Sequence, residues 1–110
     1  MKKIRTYITL NGKEPFKEWL STINDTITVA QVDNRVRRLV LGHKGDYKRV
    51  GKGVFELRIH YGCGYRVYFA EQGNHIILLL LGGSKNSQKR DIKQAIMYWQ
   101  DYKERYHEKS

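Results

Sequence analysis

Two short runs each carry an arginine where a strand interior is expected: Phe55 to Tyr61 (F-E-L-R-I-H-Y) with Arg58, and Tyr65 to Phe69 (Y-R-V-Y-F) with Arg66, joined through Gly62-Cys63-Gly64. Side chains alternate across a strand, so Phe55, Leu57, Ile59 and Tyr61 share one face, and Glu56, Arg58 and His60 the other. A three-residue loop at Gly62-Cys63-Gly64 would pair Tyr61 with Tyr65, placing His60 opposite Arg66 and Arg58 opposite Tyr68. Long arginines are ordinary on the solvated face of an antiparallel sheet. Guanidinium forks beside a phenol and an imidazole, however, suit a phosphate with stacked bases better than solubility alone requires.

Further cations flank this hairpin. Residues 42–53 (G-H-K-G-D-Y-K-R-V-G-K-G) contain Lys44, Lys48, Arg49 and Lys52 among four glycines, which reads as a loop able to approach a phosphate backbone. After the last strand come Lys85 and Gln88, then Lys89 and Arg90. The formal net charge is +10 over 110 residues. Residues 35–66 hold nine Lys/Arg against two acids, a net +7 that leaves +3 for the rest. Charge so concentrated favours a polyanionic partner such as RNA, DNA or an acidic protein.

The elements that must position these residues follow from periodicity. Lys3 to Leu10 has a mixed, strand-like alternation, and Asn11-Gly12 turns the chain. Pro15 suits a first helical turn, with Phe16, Trp19, Leu20 and Ile23 forming one apolar stripe. In the valine-rich segment from Asp25 to Gly42, helical spacing of Val29, Val32, Val36, Leu39 and Val40 outweighs the low helix propensity of valine, with Asp25 as cap and Gly42 as stop. Arg35, Arg37 and Arg38 then fall mostly on the other side, as a solvated helix face or part of a binding surface, with the solvated face favoured. The hairpin and the apolar strand Ile76 to Leu81 form a meander, and Ile92, Ala95, Ile96, Trp99, Tyr102 and Tyr106 mark a closing helix capped at Asn86 or Ser87. The expected fold is α+β in the order β-α-α-β-β-β-α, a small antiparallel sheet with helices packed on one face. A length of 110 residues with 40% apolar and 12% aromatic content suffices for one core and one domain, 1–110. One cysteine, Cys63, leaves no internal disulfide and fits a reducing, cytoplasmic setting. The N-terminal stretch lacks a secretory pattern, and the run at 76–81 is too short to span a bilayer, so no membrane partner is expected.

The strings G-D-Y-K-R-V-G-K-G-V-F-E-L-R-I-H-Y-G-C-G-Y-R-V-Y-F and L-L-L-L-G-G-S-K-N-S-Q-K-R-D-I-K-Q-A-I-M-Y-W closely resemble the phage-derived, HigB-type branch of the RelE/ParE toxin superfamily, the addiction-module killer proteins. The resemblance runs from about Tyr7 to Tyr102. Cys63 stands where a proline is common, and Ser84 where an aspartate is common. What the resemblance implies is a RelE-like fold and a type II toxin: a metal-independent endoribonuclease that cuts mRNA, in many relatives on the ribosome, and is silenced by a cognate antitoxin, expected to be a helix-turn-helix protein. Carried over by position, Arg58 and Arg66 correspond to arginines that contact the scissile phosphate, and Lys85 to the basic residue after the last strand.

Such cleavage needs the 2′-OH deprotonated, the phosphorane stabilised and the 5′-oxygen protonated. Arg58 and Arg66 would be the anion clamp. His60 is a candidate base or an incidental strand histidine; Lys85 a base, an acid or a phosphate anchor; Tyr68 a proton donor or a stacking partner. Lys44, Lys48, Arg49, Lys52 and Gln88 are candidate RNA-binding residues. Asp91 reads as helix-dipole stabilisation, and Tyr98, Tyr102 and Tyr106 as packing residues. His43, His75 and His107 have no ligand spacing, so neither a metal nor a small-molecule cofactor is expected. Two other readings stay open: a non-catalytic module binding antitoxin and nucleic acid, and a ParE-like poison of DNA gyrase.

Overall fold

The run Ile76 to Leu81 is apolar at every position, so a strand built from it must be covered on both sides. The computed structural model, which describes residues 2–106, provides that cover. The order is β1 (Lys3–Thr6), α1 (Pro15–Ser21), α2 (Thr26–Val40), β2 (Tyr47–Gly51), β3 (Val54–Ile59), β4 (Tyr65–Gln72), β5 (Ile76–Ser84), a 3₁₀ turn (Lys85–Ser87) and α3 (Gln88–Arg105). Ile77 and Leu79 of β5 enter a core with Phe16, Val32, Leu39, Leu57, Ile59, Val67 and Phe69, under α1 and α2. Leu78 and Leu80 enter a second core with Tyr68, Ala70, Ala95, Trp99 and Tyr102, under α3.

The class is α+β as expected, with three corrections. Helices cover both faces of the sheet rather than one, because β5 is apolar on both. The sheet is mixed, in the order β1-β5-β4-β3-β2: β1 runs parallel to β5 while the other neighbours are antiparallel. There are five strands among the described residues, since part of the glycine-rich stretch read as a loop is β2, paired Tyr47↔Leu57, Lys48↔Glu56 and Arg49↔Phe55. Its glycines fall before the strand, at its last residue and beyond it, leaving Tyr47 to Val50 free of them. Gly51 and Gly53, with φ of 129° and 88°, form the tight turn into β3, and Lys52 between them also has positive φ.

The helices start where the spacing placed them. Asp25 accepts from the Ile27 backbone N–H at 3.1 Å and from the Thr28 hydroxyl at 2.7 Å, capping α2. Arg37 and Arg38 are exposed, but Arg35 is not part of a solvated face. Its guanidinium donates to the carbonyls of Lys44, Asp46 and Arg58 at 3.1, 3.2 and 3.1 Å, pinning the loop before β2 to β3. β1 ends at Thr6, short of the expected Leu10, because Tyr7 turns inward to stack on Tyr98 at 4.7 Å. His107 lies outside the described residues. Among those residues, no helix is long and apolar enough to cross a membrane.

Two adjacent glycines let helices approach β5 from opposite sides. A Cβ on Gly82 would fall inside the Trp19 ring of α1, and one on Gly83 would collide with the Asp91 carboxylate at the start of α3. Because an indole cannot yield as a flexible side chain does, Gly82→Ala is expected to destabilise the fold by about 2–3 kcal/mol. The urea midpoint should fall at unchanged slope; an unaltered midpoint would show that α1 does not pack this closely.

Candidate functional site

The hairpin between β3 and β4 sets the site. The observed register pairs Arg58 with Arg66, Glu56 with Tyr68 and Ile59 with Tyr65, two residues away from the expected pairing. The connection is five residues, His60 to Gly64, because Gly62 and Gly64 both adopt positive φ, at 61° and 89°. The consequence is that the two arginines are direct neighbours across the ladder, a repulsive arrangement by itself.

Glu56 relieves that repulsion. It is fully buried, at 0% exposure, on the face that carries the arginines. Its Oε1 accepts from Arg58 Nε at 3.1 Å. Its Oε2 accepts from Gln88 Nε2 at 2.8 Å and from the Tyr68 hydroxyl at 3.1 Å, and lies 3.4 Å from Arg66 Nε. The Arg66 Nε–H is buried and within ion-pair reach, but not aligned as a hydrogen bond. Burial alone would push the Glu56 carboxyl up. The donors Gln88, Arg58 and Tyr68 and the charge of Arg66 outweigh it and hold the group below its ordinary value of 4.5. Gly83 makes this possible. It sits opposite Arg66 on β5 and lacks a side chain, so the first turn of α3 descends to the sheet and Gln88 reaches the carboxylate.

Arg58 and Arg66 line an open cleft of about 410 Å³ together with His60, Lys85 and the Tyr61–Tyr65 loop. Among the described residues, no hydrogen bond engages the Nη groups of Arg58 or Arg66, so both have donors to spare for an anion. Lys85, exposed in the 3₁₀ turn, adds a third cation. His60 is also at the cleft, but it contacts Asp46 rather than Arg66. That contact lowers the Asp46 carboxyl, with burial opposing. An imidazole in contact with a carboxylate thus stands beside three cations at the cleft.

Several expected site residues lie elsewhere. Tyr68 is wholly buried beneath α3, its hydroxyl committed to Glu56, and burial followed by the Glu56 charge raises its pKa far above the usual phenol range. It can neither stack on a base nor deliver a proton to the cleft. Gln88 points inward to Glu56 instead of towards a nucleic acid. Lys44 pairs with Glu71 at 3.4 Å and lies over the Tyr47 ring. Arg49 lies over Phe55 on the opposite face of the sheet from Arg58. Lys48 is on the face of Glu56 and Arg58, one strand outward, and Lys52 is in the turn after β2. None of these four lines the cleft. Asp91 is buried and takes a hydrogen bond from Ser87, so it helps seat the start of α3.

Sequence reasoning missed Glu56 and Asp46. Glu56 shares a strand face with Arg58 at i, i+2, a signal that becomes telling once the register puts Arg66 beside them. Asp46 stands fourteen residues from His60 and is brought in by the pairing of β2 with β3 and by the Arg35 bonds to the Asp46 and Arg58 carbonyls. Among the described residues, no group of three or more His, Cys, Asp or Glu side chains could hold a metal ion.

A buried carboxylate between two arginines ties stability to pH. Because the folded Glu56 pKa lies below the unfolded one, its contribution is complete above the ordinary value of 4.5 and is lost as pH falls through the folded value. Glu56→Gln is expected to cost about 3 kcal/mol at neutral pH, near the low end for breaking a buried pair, because Arg58 keeps contact with water. The gap between variant and wild type in urea unfolding should narrow below pH 4.5. A gap that widens on acidification would show that Glu56 is not held as a charged acceptor.

A scan of protein families found no model that matches the chain. The chain is 44% identical over 86 residues to an uncharacterized protein of Haemophilus influenzae, an alignment covering 78% of this chain and 87% of the relative. At that identity and coverage, the chain belongs to the same family as the Haemophilus influenzae protein.

Proposed function

We propose that the protein is an endoribonuclease of the RelE-like, HigB-type kind, the toxin of a type II toxin–antitoxin pair, acting without a metal on mRNA. The observation that carries this reading is the direct pairing of Arg58 with Arg66 in a cleft that also contains Lys85 and His60. A fork of guanidinium donors converging with an ammonium matches a phosphodiester, and matches still better the phosphorane in which negative charge grows. The net charge of +10 favours the same class of ligand.

In this reading the RNA 2′-oxygen loses its proton to His60, held in place by Asp46, and attacks phosphorus in line. Arg58 and Arg66 take the charge that develops on the non-bridging oxygens. The bond from phosphorus to the 5′-oxygen breaks, and that oxygen receives a proton from Lys85, leaving a 2′,3′-cyclic phosphate and a 5′-hydroxyl. The ribosome would supply single-stranded message in a fixed pose. The antitoxin, expected to be a helix-turn-helix protein, would silence the toxin by covering the basic cleft with acidic side chains.

Induction of the chain in cells, followed by mapping of RNA 5′-ends, tests the proposal. Cuts within translated messages are expected, and Arg66→Ala or Lys85→Ala should lower cleavage about 100-fold or more. Growth arrest with intact RNA and broken DNA would instead indicate a gyrase poison. The absence of arrest would indicate a binding module.

A further inference from the structure

Glu56 carries more than the stability of the sheet. Its carboxylate meets both arginines through their Nε atoms, at 3.1 Å for Arg58 and 3.4 Å for Arg66. Gln88 of α3 and Tyr68 of β4 bond its other lone pairs and fix its orientation. Arg58 is hydrogen-bonded at its Nε edge and Arg66 is held at that edge by ion-pair attraction and burial, so neither guanidinium rotates freely about its long side chain and the direction of the Nη groups is set before any ligand arrives. Exposure follows the same gradient: the side chains of Glu56, Arg66 and Arg58 are 0%, 14% and 29% exposed, from buried anchor to open cleft.

We propose that Glu56 is a positioning residue, whose buried carboxylate holds Arg58 and Arg66 by their Nε edges so that both present Nη groups to one phosphoryl anion in the cleft. Gln88 and Tyr68 belong to the same brace, orienting Glu56 as Glu56 orients the arginines. The identity of the anion as an RNA phosphodiester rests on the nuclease reading; the brace itself does not.

The sign of one effect separates a brace from a merely basic surface. Neutralising Glu56 makes the cleft more positive by one charge. A surface that attracts anions by charge alone would therefore bind inorganic phosphate more tightly in Glu56→Gln. A braced clamp would bind it more weakly, because the guanidiniums lose their fixed orientation.

The experiment titrates inorganic phosphate into the full chain and follows amide and arginine side-chain NMR signals. Four proteins are compared: wild type, Glu56→Gln, Gln88→Ala and Asp33→Asn. Asp33→Asn adds the same charge at an exposed position on α2. Glu56→Gln is expected to weaken phosphate binding about tenfold, and Gln88→Ala about threefold, while Asp33→Asn leaves binding unchanged or slightly tighter. Gln88→Ala removes no charge and no cleft residue, so it reads the brace even where Glu56→Gln does not fold. Unchanged or tighter binding in Glu56→Gln, or in Gln88→Ala where only that variant folds, overturns the proposal. Weakened phosphate binding in a protein that leaves RNA uncut would support the brace and sink the nuclease reading alone.

Discussion

A single carboxylate, Glu56, is buried between two guanidiniums that face each other across a β-ladder. Without it, Arg58 and Arg66 would repel at the spacing the hairpin imposes. With it, the cation pair is neutralised on its inner edge and remains available on its outer edge. Such an arrangement is not a strong source of stability, since taking a carboxylate wholly and two guanidiniums partly out of water costs more than most ion pairs return. Keeping two arginines this close makes physical sense where a ligand with negative charge completes the set.

The rest of the fold can be read as what this cluster requires. Gly83 leaves the sheet bare opposite Arg66, so the first turn of α3 can descend and deliver Gln88 to Glu56. Asp91, bonded to Ser87, seats that turn. Tyr102 ties α3 to both neighbours of β5: its hydroxyl accepts from Arg5 on β1 at 2.8 Å and donates to Gln72 on β4 at 2.7 Å. On the opposite face, α1 and α2 pack against the odd-numbered residues of β3 and β4. Arg35 of α2 holds Asp46 in register with Arg58 through the backbone, which places Asp46 against His60. The cleft is thus assembled from one hairpin and the turn before α3, with the Asp46 loop held against His60 beside it.

Much of this was legible in the residues. The stripes of α1, α2 and α3, the Asp25 cap and the apolar strand at 76–81 all follow from local periodicity, and the α+β class from their order. The arginines of the hairpin were visible as chemistry out of place in a core strand. What escaped was long-range. The hairpin register depended on two glycines adopting left-handed conformations, which lengthens the loop from three residues to five. β2 was hidden by glycines that flank it. The expectation of a wet sheet face failed at Tyr68, and the expectation of Gln88 as an RNA contact failed with it, because the polar atoms of both find a partner in Glu56. Alternation along a strand reveals which residues share a face; it does not reveal whether a helix will cover them.

The most direct test of the account observes the arginine side chains themselves, through the hydrogen exchange of their Nε–H groups and the shifts of their Nη–H groups by NMR. The account requires the Nε–H protons of Arg58 and Arg66 to exchange slowly with water and to stay in place when inorganic phosphate is added, while the Nη signals move. Nε–H protons that exchange as fast as those of an exposed arginine such as Arg37 would contradict it.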